Sequence, residues 1–515
     1  MIEQTEIETS VNNMSVTTQE LYTAYCDIMQ KAADLNNASA VLGWDQEVYM
    51  PPKSATMRAR QLATLATEAH SLLTSEKLDT LLNQLAARND LAEDQRTNVE
   101  LSLKDLNKNK KLPAEFVDQL SRQTSECFNA WIDARKKNDF SVFAPSLAKM
   151  IELKKKQVEY YGYAGHPYNA LLDDYEEGAT VEILDRIFAG IRANLPPILH
   201  RIQQQQQVSD DCFHSYYPKQ LQWDFSIDVL KHIGFDFEAG RQDYSEHPFT
   251  TSFSSADVRL TTRVDEFDFA SMLWSCIHEG GHGLYEQGLP ADQYGLPLGA
   301  AVSLGIHESQ SRLWENCVGR GNEFWTFFYP RLQELFPEQL SMVTKADFVK
   351  AANRVTPSLI RTEADELTYH FHVMIRYEIE KGLIEGSLLP GEIPGKWNEL
   401  YEHYLGVTPA DDKTGALQDV HWSHGSFGYF PTYTLGSFYA AQFYAQAVAE
   451  VSGLEEQMAK GDFSLLLDWL REEVHMHGRK YNSERLCELI TGKPLDPQYF
   501  ISYITEKYQD IYSFC

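Results

Sequence analysis

The feature that most constrains this chain is the pentapeptide His278-Glu279-Gly280-Gly281-His282. Residues four apart on an α-helix lie one turn above each other on the same face, so His278 and His282 can direct their imidazoles at one cation. Imidazole nitrogen is a preferred ligand of zinc. Glu279 projects to one side of this pair, where a carboxylate can take a proton from a water molecule activated by a metal ion. The pattern therefore predicts a metal-dependent hydrolytic site.

The residues around this motif favour a packed helix over an exposed one. Apolar side chains recur at helical spacing, at Phe269, Met272, Leu273, Cys276, Ile277 and Leu284. Asp268 is a candidate N-cap, and Gly288 followed by Pro290 is a candidate stop. Gly280 and Gly281 each cost a helix about 1 kcal/mol relative to Ala. We therefore expect another backbone or a substrate to approach the helix closely at these glycines.

A third metal ligand is expected downstream. A catalytic zinc site usually has three protein ligands and an open position, and two His with one Glu is a common set. Residues 299–315 carry Glu308 on a second helical segment that can return to the first. Glu286, Glu315 and Glu323 are competing candidates, and spacing alone does not exclude them.

The residue pattern changes from helical to strand-like just before the metal-binding helix. Residues 247–253 and 258–264 are typical of strands, with the turn-forming residues 254–257 between them, so a β-hairpin is predicted. We expect this hairpin to form a small antiparallel sheet beside the metal-binding helix. A strand with a free edge can hold an extended peptide by main-chain hydrogen bonds. The alternative is a hairpin with a purely structural role.

Two later stretches carry groups suited to a peptide substrate. Residues 359–380 predict a helix on which Arg361 and Asp365 lie one turn apart and can pair. A guanidinium so placed can bind a carboxylate through two parallel hydrogen bonds, although such a pair is also typical of a surface helix. Residues 415–433 are rich in Gly and aromatic residues, and either His421 or Tyr433 can donate to an oxyanion or serve a structural role.

Composition disfavours several other classes of function. The 515 residues carry a formal charge of −29, which disfavours binding to nucleic acid and to anionic membranes. The seven cysteines are scattered and contain no C-x-x-C pair, which indicates free thiols in a reducing compartment. Residues 1–15 are predicted to be a polar tail without the apolar segment of a signal peptide. No stretch approaches the ~18 unbroken apolar residues of a membrane span. We predict a cytoplasmic protein.

Six stretches follow one another in a set order. They are His247-Pro248-Phe249, Asp257-Val258-Arg259-Leu260-Thr261, His278-Glu279-Gly280-Gly281-His282, His307-Glu308-Ser309-Gln310, Ile360-Arg361-Thr362-Glu363-Ala364-Asp365 and residues 415–422. In this order they resemble the thermostable-carboxypeptidase family of zinc metallocarboxypeptidases. Residues 42–47 and 428–433 extend the resemblance towards both ends of the chain.

The resemblance implies a mainly α-helical fold with a long central cleft and a small sheet, organised as a single domain over residues 1–515 and assembled as a homodimer. It implies removal of single residues from the C-termini of peptides with broad specificity, with zinc as the cofactor and cobalt as a substitute. It assigns the metal to His278, His282 and Glu308, the general base to Glu279, the binding of the substrate's terminal carboxylate to Arg361 and Arg259, and the surroundings of the reacting carbonyl to His247, His421 and Tyr433.

Two other functions stay open at this point. A zinc endopeptidase, or an oligopeptidase that releases dipeptides, would share the metal ligands and have a cleft that continues beyond the first leaving residue. A non-catalytic peptide-binding or metal-buffering protein is the alternative from another class. Binding alone does not require a glutamate at position 279, so Glu279 argues against that alternative.

Overall fold

The computed structural model describes residues 16–514, and α-helices make up most of that range. The predicted polar tail, residues 1–15, lies outside the described residues. The helices that precede the sheet are α1 (Thr18–Val48), α2 (Ala55–Leu73), α3 (Glu76–Ala86), α4 (Glu93–Lys110), α5 (Ala114–Lys137), α6 (Ala144–Tyr161), α7 (Asn169–Leu172), α8 (Val181–Gln203) and α9 (Lys219–His232). The prediction of a mainly α-helical fold is confirmed.

A three-stranded sheet follows these helices. Its strands are β1 (Gly240–Tyr244), β2 (Thr250–Ser254) and β3 (Asp257–Thr262), in the order β1-β3-β2. β2 and β3 form the predicted antiparallel hairpin, and β2 lies at an edge of the sheet. β1 pairs with β3 in parallel, with Gly240 opposite Val258. The expectation of an antiparallel sheet is therefore wrong in this respect, since the sheet is mixed. β1 was missed because the sequence Gly-Arg-Gln-Asp-Tyr lacks the β-branched residues that mark a strand.

Helices make up most of the rest of the described chain. They are α10 (Phe269–Gly288), α11 (Leu304–Arg312), α12 (Asn322–Leu335), α13 (Pro337–Leu340), α14 (Lys345–Ala352), α15 (Tyr369–Glu385), α16 (Ile393–Leu405), α17 (Pro431–Glu450), α18 (Leu454–Met458), α19 (Ser464–Glu473), α20 (Ser483–Thr491) and α21 (Pro497–Tyr512). A π-helix, Leu313–Gly319, continues directly from α11. Among residues 16–514, no helix combines the length and the apolar character that crossing a membrane requires.

Helix α10 contains the His278–His282 motif and lies in the main hydrophobic core. The Asp268 side chain accepts a hydrogen bond from the Ser271 N–H, as predicted for the N-cap. The six apolar side chains that predicted the buried face are all buried. The helix packs against α9, α11 and β3. These contacts fix the rotation of α10 about its axis, and with it the direction in which the two histidines point.

The predicted helix over residues 359–380 is wrong in its first ten residues. The structure has only a short 3-10 turn at Arg361–Glu363, and α15 begins at Tyr369. The Asp365 carboxylate accepts hydrogen bonds from the backbone N–H groups of Leu367, at 3.0 Å, and Thr368, at 2.9 Å. An aspartate that binds the backbone N–H groups following it favours a turn over a helix.

Two groups of buried apolar side chains hold the helices together. The larger one extends from α5 to α21 and surrounds α10. The smaller one joins α1, α3 and α4 to Leu296, in the segment between α10 and α11. The N-terminal helices are thus packed against a segment that connects the two helices of the candidate site.

Candidate metal centre

Two histidines and one glutamate converge at the centre of the fold. The Nε2 atoms of His278 and His282 lie 3.8 Å and 3.6 Å from Oε2 of Glu308, and the three ligand atoms are all within 4.8 Å of one another. Two ligand atoms that are each about 2.1 Å from a tetrahedral zinc ion lie about 3.4 Å apart. The three side chains therefore fit a divalent cation of this kind.

The structure separates Glu308 from the competing candidates for the third ligand. Glu315 accepts a hydrogen bond from Nδ1 of His278 at 2.9 Å, on the side of the ring away from Glu308. Glu286 is paired with His307. Glu323 lies in the first turn of α12. Of the four glutamates, only Glu308 joins the group of potential metal ligands.

Close packing of helices brings Glu308 to α10. A Cβ atom on Gly281 would lie 2.7 Å from both the carbonyl oxygen of Gln310 and Cα of Ser311, so α11 crosses α10 at this glycine. On the other side of α11, a Cβ atom on Gly436 of α17 would lie 2.5 Å from Cγ of Glu308. The expectation of a close backbone approach at Gly281 is confirmed. Helix α11 fits between α10 and α17 because neither Gly281 nor Gly436 has a side chain.

We expect Gly281→Ala to displace α11, because its new methyl group would meet backbone atoms of that helix at 2.7 Å, and backbone atoms cannot rotate away as the end of a side chain can. Overpacking of this kind costs about 1–3 kcal/mol. Gly280→Ala is the matched control, since its methyl group meets the end of the Leu230 side chain, which can rotate. Unfolding by denaturant and metal titration should show lower stability and weaker binding for Gly281→Ala alone. Equal behaviour of the two variants would contradict this account.

Arg312 orients the carboxylate of Glu308. It lies one turn after Glu308 and donates its Nε–H to Oε1 at 2.7 Å, which leaves Oε2 facing the histidines. Its guanidinium also contacts Oε2 of Glu315 at 3.4 Å. Burial opposes ionisation of Glu308 and Glu315, but Arg312 and the neighbouring histidines together outweigh it and hold the pKa of both carboxyl groups well below their usual range. Both groups are therefore carboxylates at neutral pH.

Glu279 is buried beside the metal ligands and is positioned by the sheet. The Thr250 hydroxyl on β2 donates a hydrogen bond to Oε2 of Glu279 at 2.6 Å. β2 thus lies against α10, as the hairpin prediction required. Helix α1 contacts β2 near the C-terminal end of the strand, because Nδ2 of Asn37 donates to the carbonyl of Phe253 at 2.6 Å.

Arg361 is buried and does not pair with Asp365. Its Nε and Nη2 instead contact Oδ1 of Asp419 at 3.0 Å and 2.9 Å, and its Nη1 donates to the hydroxyl of Tyr369 at 3.0 Å. The predicted pairing is wrong because Asp365 is engaged by the backbone at the start of α15. Asp419 also receives a hydrogen bond from Nε of Arg376 at 2.7 Å.

His421 and Tyr433 lie beside Arg361. Nε2 of His421 is 3.2 Å from the Tyr433 hydroxyl, and the Arg361 guanidinium lies 4.9 Å from the centre of the Tyr433 ring. Burial, with the positive charge of Arg361, lowers the pKa of His421 to about 3, so its imidazole is neutral. Glu380 anchors the loop between the two residues by accepting hydrogen bonds from Trp422 and Gly428.

Tyr369 lies between Arg361 and the candidate metal ligands. Its hydroxyl accepts the hydrogen bond from Arg361, and its ring lies 4.5 Å from the guanidinium of Arg312. Arg312 in turn holds Glu308. Arg361 is therefore connected to Glu308 through Tyr369 and Arg312.

The remaining two predicted residues lie on the sheet. Arg259 pairs with Asp257 at 3.0 Å, and its guanidinium stacks 4.3 Å from the ring of Trp44 at the end of α1. His247 is exposed in the connection between β1 and β2. None of the hydrogen bonds and ion pairs described for these two side chains reaches the metal ligands.

Sequence reasoning missed several residues that shape the site. Arg312 follows Glu308 by four residues, so helical spacing was a signal that could have placed it on the same face. Glu315 was considered only as a competing metal ligand, whereas the structure makes it the partner of Nδ1 of His278. Thr250 and Asp419 carried no such signal. Each meets its partner across the fold, Thr250 across 29 residues of sequence and Asp419 across 58.

A helical fold in which one helix presents the H-E-x-x-H pair and a second helix adds a glutamate defines a class, the H-E-x-x-H metallohydrolases. The family model described as carboxypeptidase Taq (M32) metallopeptidase matches residues 24–508. The chain belongs to this M32 family and is a metallocarboxypeptidase. The resemblance seen in the six sequence stretches is thereby confirmed.

Individual relatives agree with this assignment. Carboxypeptidase 1 of Bacillus subtilis (strain 168) is 39% identical over 490 residues, which cover 95% of this chain and 98% of the relative. Thermostable carboxypeptidase 1 of Thermus thermophilus is 39% identical over 510 residues, covering 96% and 100% of the two chains. The crystal structure of the M32 carboxypeptidase from Deinococcus radiodurans R1 has a TM-score of 0.94 at 40% identity, covering 96% of this chain and 100% of that one.

Proposed function

We propose that this metallocarboxypeptidase uses zinc, held by His278, His282 and Glu308, to release single amino acids from the C-termini of peptides with broad specificity. The convergence of the two Nε2 atoms and Oε2 of Glu308 is the observation that carries the proposal. When bound, the cation would polarise a carbonyl group and lower the pKa of a water molecule. Cobalt, which accepts similar ligands and geometry, is expected to substitute for zinc.

In this proposal Glu279 acts as the general base. It accepts a proton from the attacking water and gives one to the leaving amine. The Thr250 hydroxyl occupies Oε2 of Glu279, so Oε1 is the oxygen left for this proton transfer. Glu279 is buried and directly follows His278 in the chain, which supports a role beside the metal ligands.

We further propose that Arg361 binds the terminal carboxylate of the peptide. A guanidinium has five N–H donors, and the protein uses one on each of the three nitrogens of Arg361. One N–H on Nη1 and one on Nη2 therefore remain to bind a carboxylate. Tyr433 and the neutral His421 lie next to Arg361, where they can line the reacting carbonyl.

The other expectations are carried forward as proposals. Arg259 and His247 remain candidates for substrate binding, at the sheet rather than at the metal ligands. A single domain over residues 1–515, a homodimer and a cytoplasmic location rest on the sequence and on the family resemblance.

Digestion of one unblocked peptide with and without a chelator tests the proposed activity. We expect a ladder of products that differ by single residues, counted from the C-terminus, because binding of the terminal carboxylate at Arg361 would select the last peptide bond for cleavage. A chelator should abolish the ladder, and added zinc should restore it. Mass spectrometry of the time course gives the result directly.

Two outcomes of this digestion would contradict the proposal. Internal cuts or losses of two residues at a time would support an endopeptidase or a dipeptide-releasing oligopeptidase instead. Cleavage that persists after complete metal removal would exclude the proposed role of the metal site. A peptide with an amidated C-terminus serves as the control, since it lacks the carboxylate that Arg361 is proposed to bind.

A further inference from the structure

The two histidines of the metal centre differ in what holds the nitrogen that faces away from Glu308. Nδ1 of His278 is bonded directly to a carboxylate, that of Glu315, at 2.9 Å. A histidine that ligates a metal commonly has such a partner, which orients the ring. Nδ1 of His282 instead meets another imidazole, since it lies 2.6 Å from Nδ1 of His307. The residue that orients His282 is therefore itself a side chain with two tautomers.

A short chain of hydrogen bonds continues from His307 to the sheet. Nε2 of His307 lies 2.7 Å from Oε1 of Glu286, and the hydroxyl of Ser252 donates to Oε2 of Glu286 at 2.6 Å. Ser252 lies two residues after Thr250, which holds Glu279. Strand β2 thus contacts both the proposed general base and, through three side chains, one proposed metal ligand.

The positions of the protons along this chain follow from its two ends. An imidazole that offers Nε2 to a cation as a lone pair carries its proton on Nδ1. The proton of His282 is then on Nδ1 and is donated to Nδ1 of His307, which has to be an acceptor. The proton of His307 is consequently on Nε2, where the carboxylate of Glu286 accepts it. Only one arrangement satisfies every contact.

We propose that His307 is a positioning residue that accepts the Nδ1 proton of His282, and that Glu286 holds His307 in the tautomer needed for this. The proposal rests on the proposed metal site. It explains why Glu286, on the same helix as the two metal-binding histidines, is paired with His307 rather than placed among the ligands. Loss of an outer partner of this kind typically weakens metal binding by about 10–100-fold.

Two substitutions of His307 separate its hydrogen bond to His282 from its hydrogen bond to Glu286. In His307→Asn the amide oxygen can take the place of Nδ1 and still accept from His282, but the bond to Glu286 is lost. In His307→Gln the amide reaches the position of Nε2 and keeps the bond to Glu286, but His282 loses its acceptor. We expect His307→Gln to bind zinc about 10–100-fold more weakly than the wild type, and His307→Asn to lose several-fold less.

The measurement is the dissociation constant for zinc, from competition with a chromophoric chelator, on full-length protein that has been stripped of metal. Thermal unfolding of the same metal-free samples shows whether each variant is folded. Equal losses of affinity in both variants, or wild-type affinity in His307→Gln, would overturn the role of His307. A wild-type protein that binds no zinc would instead overturn the proposed metal site itself, so the two failures are distinguishable.

Discussion

Replacement of Glu279 by Gln is expected to lower kcat by about 10²–10⁴-fold, the usual contribution of general acid–base catalysis, while zinc remains bound. Gln has nearly the same shape and can still accept the Thr250 hydrogen bond, but it takes no proton from water at neutral pH. His278, His282 and Glu308 are untouched, so the metal content should stay at the wild-type value. Steady-state kinetics together with metal analysis of the purified variant check both parts of the expectation.

Thr250→Val is the matched control for this experiment. It removes only the hydroxyl that donates to Oε2 of Glu279 and keeps the size of the side chain. We expect a loss of kcat much smaller than that of Glu279→Gln, because the carboxylate is still present and only its orientation is less fixed. Retention of near-wild-type turnover by Glu279→Gln would remove Glu279 from the role of general base.

Arg361→Ala is expected to lower kcat/KM for peptides with a free C-terminal carboxylate by up to roughly 150-fold. Loss of a hydrogen bond between charged groups costs up to about 3 kcal/mol, which corresponds to that factor. Peptides with an amidated C-terminus offer no carboxylate to Arg361, so their already slow cleavage should change little. The informative quantity is the ratio of kcat/KM for the two forms of one peptide, measured for the wild type and the variant.

This ratio separates substrate recognition from general damage. Arg361 is buried and pairs with Asp419, so the substitution also removes one of the two guanidinium partners of that carboxylate. Damage to the fold would lower cleavage of both peptides in proportion and leave the ratio unchanged. An unchanged ratio would therefore refute the binding of the terminal carboxylate at Arg361.

Local features of the sequence were enough to predict the helix that carries His278 and His282. The spacing of His278 and His282, the apolar face of α10, the cap at Asp268 and the close approach at Gly281 all depend on residues within a few turns of one another. The periodicity of a helix relates such residues directly. The hairpin of β2 and β3 was predicted for the same reason, since its two strands are adjacent in sequence.

Long-range contacts were beyond this reasoning. Arg361 was expected to pair with Asp365, four residues away, yet its partner is Asp419, 58 residues away. The parallel pairing of β1 with β3 was missed because nothing in either segment specifies the other. The choice of Glu308 over Glu315 was open on spacing alone, and family resemblance favoured the residue that the fold brings to the histidines.

The sequence by itself determined that two imidazoles face one point with a carboxylate beside them, because one turn of a single helix sets that geometry. Only the tertiary structure decided which distant side chains complete and hold the group. The packing of α11 against Gly281 presents Glu308, the position of β2 brings Thr250 to Glu279, and the position of Asp419 decides where Arg361 points. These contacts join residues far apart in the chain, and close packing of whole helices, which no local pattern encodes, is what brings them together.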